Sequence, residues 1–416
     1  MTFLPPHSDP NYQALYIHIP FCARRCAYCD FLTRAVEDMD SSIDEHLQTL
    51  TQSLQASRQR GLLAEIQTVY IGGGTPSFIG SQRLVQLVQT ITEVLPPSAT
   101  PREFSVEANP ESLSADLLAA LVPLGVNRLS LGVQSLQDDE LRVLGRLHDS
   151  QRARWAMRLA LGYLDNVSVD LMCGLPGQTA ASWQRTLAEI SQLAVPHISV
   201  YPLTLESGTA LALAVDRGEL QVADDDIQAD FLEQAEAWLS AGGWQHYEIA
   251  SYARPGYACR HNTAYWSAQP YLGLGRGAVG MAMASAQQSY REHQENRRHQ
   301  GPRQRQERQR FNDSGILETL NTQQQAAEDL LLRLRLLAGA PDDLVNAARQ
   351  VLPGLDACLD QLRGWGLLES SEHSQLRLSR TGWLLGNQVF GRIWELVEAP
   401  PELSPSSIAD KSATLL

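Results

Sequence analysis

The sequence predicts an α/β protein: a partial, open barrel of six parallel βα units, (β/α)6, followed by a smaller α+β module. Three observations predict it. Short apolar runs alternate with longer amphipathic ones through the first 300 residues, the pattern of parallel βα units. The alternation repeats about six times, too few for the closed eight-unit barrel of that architecture. From Thr322 onward the pattern changes to successive amphipathic helices.

Strands are expected at 15–19, 68–71, 103–108, 128–133, 166–171 and 197–201, each rich in β-branched or aromatic residues. Between them the 3.6-residue periodicity predicts helices near 40–59, 81–94, 114–123, 137–144, 151–163 and 180–194. A further helix, 225–241, is stopped by Gly242 and Gly243. Residues 287–310 are almost wholly Gln, Arg, Glu and His, which bury nothing apolar, so a solvated, disordered insertion is expected there. Helices near 326–336, 342–351 and 355–364, a hairpin over 364–379 and a closing helix over 380–397 then read as a winged-helix-like module. The expected divisions are an N-terminal tail (1–13), the barrel and its extension (14–286), the insertion (287–315), the winged-helix-like cap (316–398) and a loose tail (399–416).

The 416 residues are 44% hydrophobic, enough for a sizeable core. A formal charge of −14 argues against a nucleic-acid surface, although seven arginines in 287–310 offer a local contact for RNA, a membrane surface or an acidic partner. No apolar run reaches the roughly 20 residues that span a bilayer, and the first residues lack the pattern of a signal peptide. Six cysteines, three of them clustered, suit a reducing compartment, so a cytoplasmic location is expected.

In open α/β sheets chemistry gathers at the carboxyl ends of the strands. After the first strand come Cys22, Cys26 and Cys29, spaced C-x3-C-x2-C with Tyr28 between them. Thiolates so close together are poorly placed to pair with one another, but they can converge on a soft metal centre, either an iron–sulfur cluster or zinc. The next cysteine is Cys173, so a four-iron cluster held here keeps one iron open. After the second strand comes Gly72-Gly73-Gly74-Thr75-Pro76, where bare backbone N–H groups can meet a polar ligand. Glu107 ends the third strand, Gln134 the fourth with Arg146 one helix later, and Asp170 the fifth. Carboxylates and amides at several strand ends suit ribose hydroxyls and an amino-acid moiety.

Farther on, Cys259 to Trp266 contains H-N-x-x-Y-W. His261 offers an imidazole for axial iron ligation, and Tyr265 and Trp266 offer faces for a porphyrin; the alternative is a core-facing turn with a hydrogen-bonded histidine and two packing aromatics. Cys259 reads as a buried structural thiol.

These motifs resemble the radical S-adenosylmethionine (SAM) family, and within it the branch of oxygen-independent coproporphyrinogen III oxidases and the related HemW haem chaperones. The resemblance covers about residues 12–285, and 322–395 more loosely. It implies a partial radical SAM barrel, a 4Fe–4S cluster on Cys22, Cys26 and Cys29, and SAM on the open iron. It implies first-SAM contacts at Tyr16, Gly73 and Glu107, and second-site contacts at Tyr28, Gly74, Thr75, Gln134, Arg146 and Asp170. Haem contact at His261, Tyr265 and Trp266 follows only from the shared H-N-x-x-Y-W motif. One departure separates the two relatives: the oxidase motif continues to a further cysteine two residues after the third, where this chain has Phe31. Only 15 residues precede Tyr16, less than the oxidases' longer N-terminal segment. Relatives carry a histidine at the position of Val279, which removes a second candidate haem ligand. The resemblance therefore implies a haem chaperone that binds haem or another tetrapyrrole and passes it to an acceptor protein. The enzyme alternative is radical decarboxylation of coproporphyrinogen III to protoporphyrinogen IX in porphyrin biosynthesis, and a third class is radical modification of RNA or another substrate. No nucleic-acid partner is expected, and any membrane contact is peripheral.

Overall fold

A computed structural model describes residues 12–97, 99, 101–284, 307–370 and 375–397. The chain forms two compact units that divide between Thr319 and Leu320.

The larger unit is built on β1 (Ala14–Ile19), β2 (Thr68–Gly73), β3 (Glu103–Ala108), β4 (Arg128–Gln134), β5 (Asn166–Cys173) and β6 (His197–Pro202), which lie side by side in chain order and pair in parallel. Beyond β6 the sheet turns antiparallel with β7 (Gln245–His246) and β8 (Ser251–Ala253). On the other side β1 pairs in parallel with β9 (Tyr271–Leu274), which continues into β10 (Gly280–Ala284), β11 (Glu307–Asn312) and β12 (Gly315–Leu320). Among the described residues the sheet runs from β12 at one edge to β7 at the other without closing, as in an open barrel.

Alternation decides what each face meets. Leu15, Val69, Val106, Leu129, Val169 and Ile198 join one apolar core with Leu84, Leu118, Ala156 and Leu187 of the covering helices. The opposite face is polar: Tyr16 stands beside Tyr70, Glu107 beside Ser130, and Asp170 beside Ser199. The covering helices are α1 (Ser41–Gln59), α2 (Ser81–Val94), α3 (Ala115–Leu121), α4 (Asp138–Val143), α5 (Ser150–Leu161), α6 (Ala180–Gln192), α7 (Ala210–Asp216) and α8 (Asp225–Ala241). Several start on the side-chain caps that their sequences supply, Asp40, Ser114, Asp149, Thr179 and Asp224. Among the described residues the last helix of this unit is α9 (Arg260–Trp266).

The second unit carries α10 (Thr322–Leu334), α11 (Asp342–Arg349) and α12 (Leu355–Gly364), a hairpin of β13 (Leu368–Ser370) and β14 (Leu376–Leu378), then α13 (Arg380–Leu384) and α14 (Gly386–Trp394). They enclose their own core around Leu330, Leu334, Leu359, Leu362 and Ile393.

Two expectations need correction. The insertion expected over 287–315 does not extend that far, because Glu307–Asn312 pairs in register with Gly280–Ala284. Phe311 lies over Gly280 and meets Tyr12 edge-on at 6.3 Å, and an Asn312 side-chain turn leads into β12. Polar composition hid a strand whose single aromatic does the packing; residues 285–306 lie outside the described chain. The closing helix expected over 380–397 is two helices broken at Leu385. Gly382 sits directly against the backbone of Leu367, and Gly386 opens the second helix.

Candidate functional site

The loop after β1 is held by bonds to backbone groups, some from its own backbone and some from its arginine side chains. A two-residue parallel pairing of Phe21–Cys22 with Arg34–Ala35 closes its base. Ala27 N–H donates to the carbonyl of Leu144, and Arg24 donates to the carbonyls of Gly145 (2.6 Å) and Arg146 (3.1 Å). Cys22 is buried, Cys26 and Cys29 are partly exposed, and all three are free thiols. Burial pushes Cys22 up to about 11 against a hydrogen bond from Thr75, and the neighbouring Cys29 and Cys26 push it the same way. Burial likewise raises Cys29. Among the described residues no three His, Cys, Asp or Glu side chains converge tightly enough for a single metal ion. A four-iron cluster asks for something else: soft thiolates, one per iron, around a larger centre. The thiol-only donor set of residues 22–29 fits that group.

The glycine run meets this loop directly. A Cβ on Gly74 would stand 2.6 Å from the carbonyl oxygen of Phe21 and 2.9 Å from Cys22 Sγ, so only glycine allows the approach. Thr75 Oγ1 reaches Cys22 Sγ at 3.5 Å and accepts a bond from Asn109 Nδ2 at 3.0 Å. Gly73 has φ +114°, and its N–H donates to Glu107 at 3.0 Å. Tyr70 donates to the other oxygen of Glu107 at 2.7 Å. Burial nevertheless lifts Glu107 to about 7, helped by nearby Asp170 and opposed by those two donors and by Arg128. Burial also raises Asp170, against Arg128, Ser199 and Ser130, the last donating at 3.2 Å.

Arg146 joins the two halves of the site. Its guanidinium donates to Cys26 Sγ (3.3 Å), Asn109 Oδ1 (2.7 Å) and the carbonyl of Gly132 (2.7 Å). Gln134 closes β4 at a bulge with φ +65°, next to that carbonyl. Tyr28 packs with Leu144, Met172, Leu175, Leu203 and Leu211, and burial raises its phenol despite Arg146. Tyr16 bonds His18 Nδ1 at 2.9 Å, and His18 Nε2 reaches the carbonyl of Leu32 at 3.2 Å. Cysteines, glycines, Glu107, Asp170, Gln134, Arg146 and both tyrosines thus occupy the carboxyl end and inner face of one sheet.

His261, Tyr265 and Trp266 lie away from that carboxyl end. They sit on α9, whose first turn lies against the opposite ends of the strands. Glu103, the first residue of β3, accepts from the backbone N–H groups of Arg260 (2.8 Å) and His261 (3.0 Å) and from Cys259 Sγ (3.4 Å), capping the helix from across the sheet. His261 is 1% exposed and stacks on Tyr70. Its Nδ1 bonds Thr68 and its Nε2 bonds Tyr265, at 2.9 and 2.8 Å, so neither nitrogen is free for an iron. Burial holds the ring neutral, with a pKa lowered to about 3. The core reading of this motif, not axial ligation, is the one the geometry gives. Cys259 is fully buried, as a structural thiol should be.

Sequence reasoning passed over Asn109, His18 and Tyr70. Asn109 directly follows β3 and was legible by the rule that strand ends carry chemistry; His18 and Tyr70 signal themselves only through their partners.

Residues 16–190 match the model of the radical SAM superfamily. The chain is 34% identical over 400 residues to the heme chaperone HemW of Bacillus subtilis, covering 91% of this chain and 98% of that protein. It is 39% identical over 281 residues to the heme chaperone HemW of Escherichia coli, covering 67% of this chain and 71% of the relative. Among solved structures, the coproporphyrinogen III oxidase (HemN) of Escherichia coli, a radical SAM enzyme, superposes with a TM-score of 0.70 at 20% identity over 92% of this chain and 90% of that one, a likeness of fold.

Proposed function

The chain belongs to the HemW family of radical SAM proteins, and on that premise we propose that it is a haem chaperone that holds a 4Fe–4S cluster and SAM and passes haem to an acceptor protein. One observation carries the reading: identity to the Bacillus subtilis heme chaperone runs through 98% of that protein's length. Phe31 supports it, standing 56% exposed beside the thiol loop where the oxidase motif has a further cysteine.

In this reading Cys22, Cys26 and Cys29 hold the cluster, which when bound supplies a single low-potential electron to the sulfonium of SAM. The chain's own residues do the binding. Gly73 and Gly74 leave backbone bare beside the thiols, Glu107 offers a carboxylate to an ammonium group, and Tyr16 borders it on β1. Tyr28, Thr75, Gln134, Arg146 and Asp170 line the second part of the same end. Thr75 and Arg146 already donate to Cys22 and Cys26, and such donors to sulfur tune a cluster's potential. Haem takes no ligand from His261 in this proposal. Among the described residues no helix is long and apolar enough to cross a membrane.

The test is anaerobic reconstitution with iron and sulfide, then two assays on one sample. A Soret band with added haem and no turnover of coproporphyrinogen is expected. Protoporphyrinogen formed at an enzyme-like rate with SAM and a reductant would replace the chaperone reading with the oxidase one.

A further inference from the structure

His148 lies two residues beyond Arg146, and its side chain is wholly buried. Its Nε2 faces the carbonyl oxygen of Val133 at 3.2 Å, and its Nδ1 faces the carboxylate of Glu111 at 3.0 Å. Both partners are acceptors. A neutral imidazole has one N–H, so one of these contacts would set lone pair against lone pair; a ring with two N–H groups satisfies both.

The carboxylate side of the pair is built to match. Arg152 grips the carbonyls of Pro110 (2.8 Å) and Leu113 (2.6 Å), fixing the turn that carries Glu111. Burial pushes the Glu111 carboxyl up, but the His148 bond and the charge of Arg146 prevail and hold it below its ordinary value.

The pair also ties the ends of β3 and β4 to the loop that carries Arg146. Glu111 follows β3, Val133 lies in the bulge between Gly132 and Gln134, and His148 ends the loop that delivers Arg146 to Cys26 and Gly132. Gly145, at φ +72°, lets that loop lie against Ala27. We propose that His148, as an imidazolium paired with Glu111, is a positioning residue that sets Arg146 against the thiol loop and so orders the SAM-binding end of the barrel. The proposal rests on the reading of that end as a cluster and SAM site.

Two measurements on the full chain test it. In the protein before reconstitution, ¹⁵N-histidine NMR at pH 7 is expected to show one imidazolium that disappears in His148→Gln and becomes neutral in Glu111→Gln. After anaerobic reconstitution, SAM is titrated against the change it causes in the electron paramagnetic resonance of the reduced cluster. Glu111→Gln is expected to load iron as the parent does but to bind SAM about tenfold more weakly, the usual scale for losing a residue that orients a ligand. A neutral His148 in the parent overturns the proposal, as does unchanged SAM affinity in Glu111→Gln. If the reconstituted parent itself binds no SAM, the cluster and SAM reading fails, whereas the NMR result still decides whether the buried ion pair exists.

Discussion

Replacing Glu107 by Gln tests the polar interior of the barrel without any ligand. The carboxyl goes from an ordinary value of 4.5 to about 7 in the fold, chiefly through burial. A carboxyl raised by folding binds its proton more tightly in the native state than in the unfolded chain. Stability therefore falls as pH rises from about 4.5 to about 7 and levels off above that, by at most about 3 kcal/mol at 1.36 kcal/mol per pH unit. Gln resembles the protonated acid: its carbonyl can accept from Gly73 N–H, and its amide can donate to the Tyr70 hydroxyl. The variant should lose this pH dependence while keeping the contacts. Urea unfolding of both proteins at pH 5 and pH 8 reads it, because the difference between them cancels whatever the second unit contributes. The parent should lose about 2–3 kcal/mol relative to Glu107→Gln over that interval. A difference that stays within about 0.5 kcal/mol between the two pH values would show that Glu107 is ionised throughout and refute the reasoning.

Gly74→Ala puts a methyl against the rigid carbonyl of Phe21 and against Cys22 Sγ. It should cost about 1–3 kcal/mol and lower the iron retained after reconstitution, read by denaturation and by iron analysis. His261→Ala removes a buried ring with two hydrogen bonds and should destabilise by about 2–4 kcal/mol. The Soret absorbance per folded molecule with haem should not change, and a weakened band would restore His261 as a ligand. Gly391 is exposed inside α14 with nothing within 4 Å of an added Cβ. Gly391→Ala should therefore stabilise the second unit by about 0.5–1 kcal/mol, seen as a higher melting temperature.

The six parallel strands were legible because each is a short run of β-branched or aromatic residues ending at Gly, Pro or a polar residue, and the residues just past the end of each run supplied most of the site. The features that escaped were non-local. That β9 enters beside β1 depends on pairing across more than 250 residues and leaves no local trace. The strand at 307–312 carries a disordered composition, and only its register with β10 makes Phe311 a core residue. The H-N-x-x-Y-W segment depends on the same kind of contact: its residue types suit a porphyrin, but Thr68 and Glu103, far earlier in the chain, place it at the amino ends of the strands and bond its histidine.

Arg128 shows the same dependence at its most acute. It is 2% exposed, and its Nε and Nη1 donate to no acceptor among the described residues. Taken alone, a buried guanidinium so placed is a liability worth several kcal/mol. Its surroundings reverse that judgement. Burial works against the charge, but the Glu103 carboxylate lies close enough to hold the guanidinium protonated. Arg128 in turn pulls down both Glu107 and Asp170, whose burial would otherwise drive them further toward the neutral acids. An interior meant to present carboxylates to a cationic ligand needs a fixed positive charge nearby, yet one that does not cap the carboxylates by bonding them. A guanidinium on the same face, coupled to those groups but hydrogen-bonded to neither, meets both requirements, and Arg128→Met should accordingly raise Glu107 above about 7 while leaving its bonds to Tyr70 and Gly73 in place.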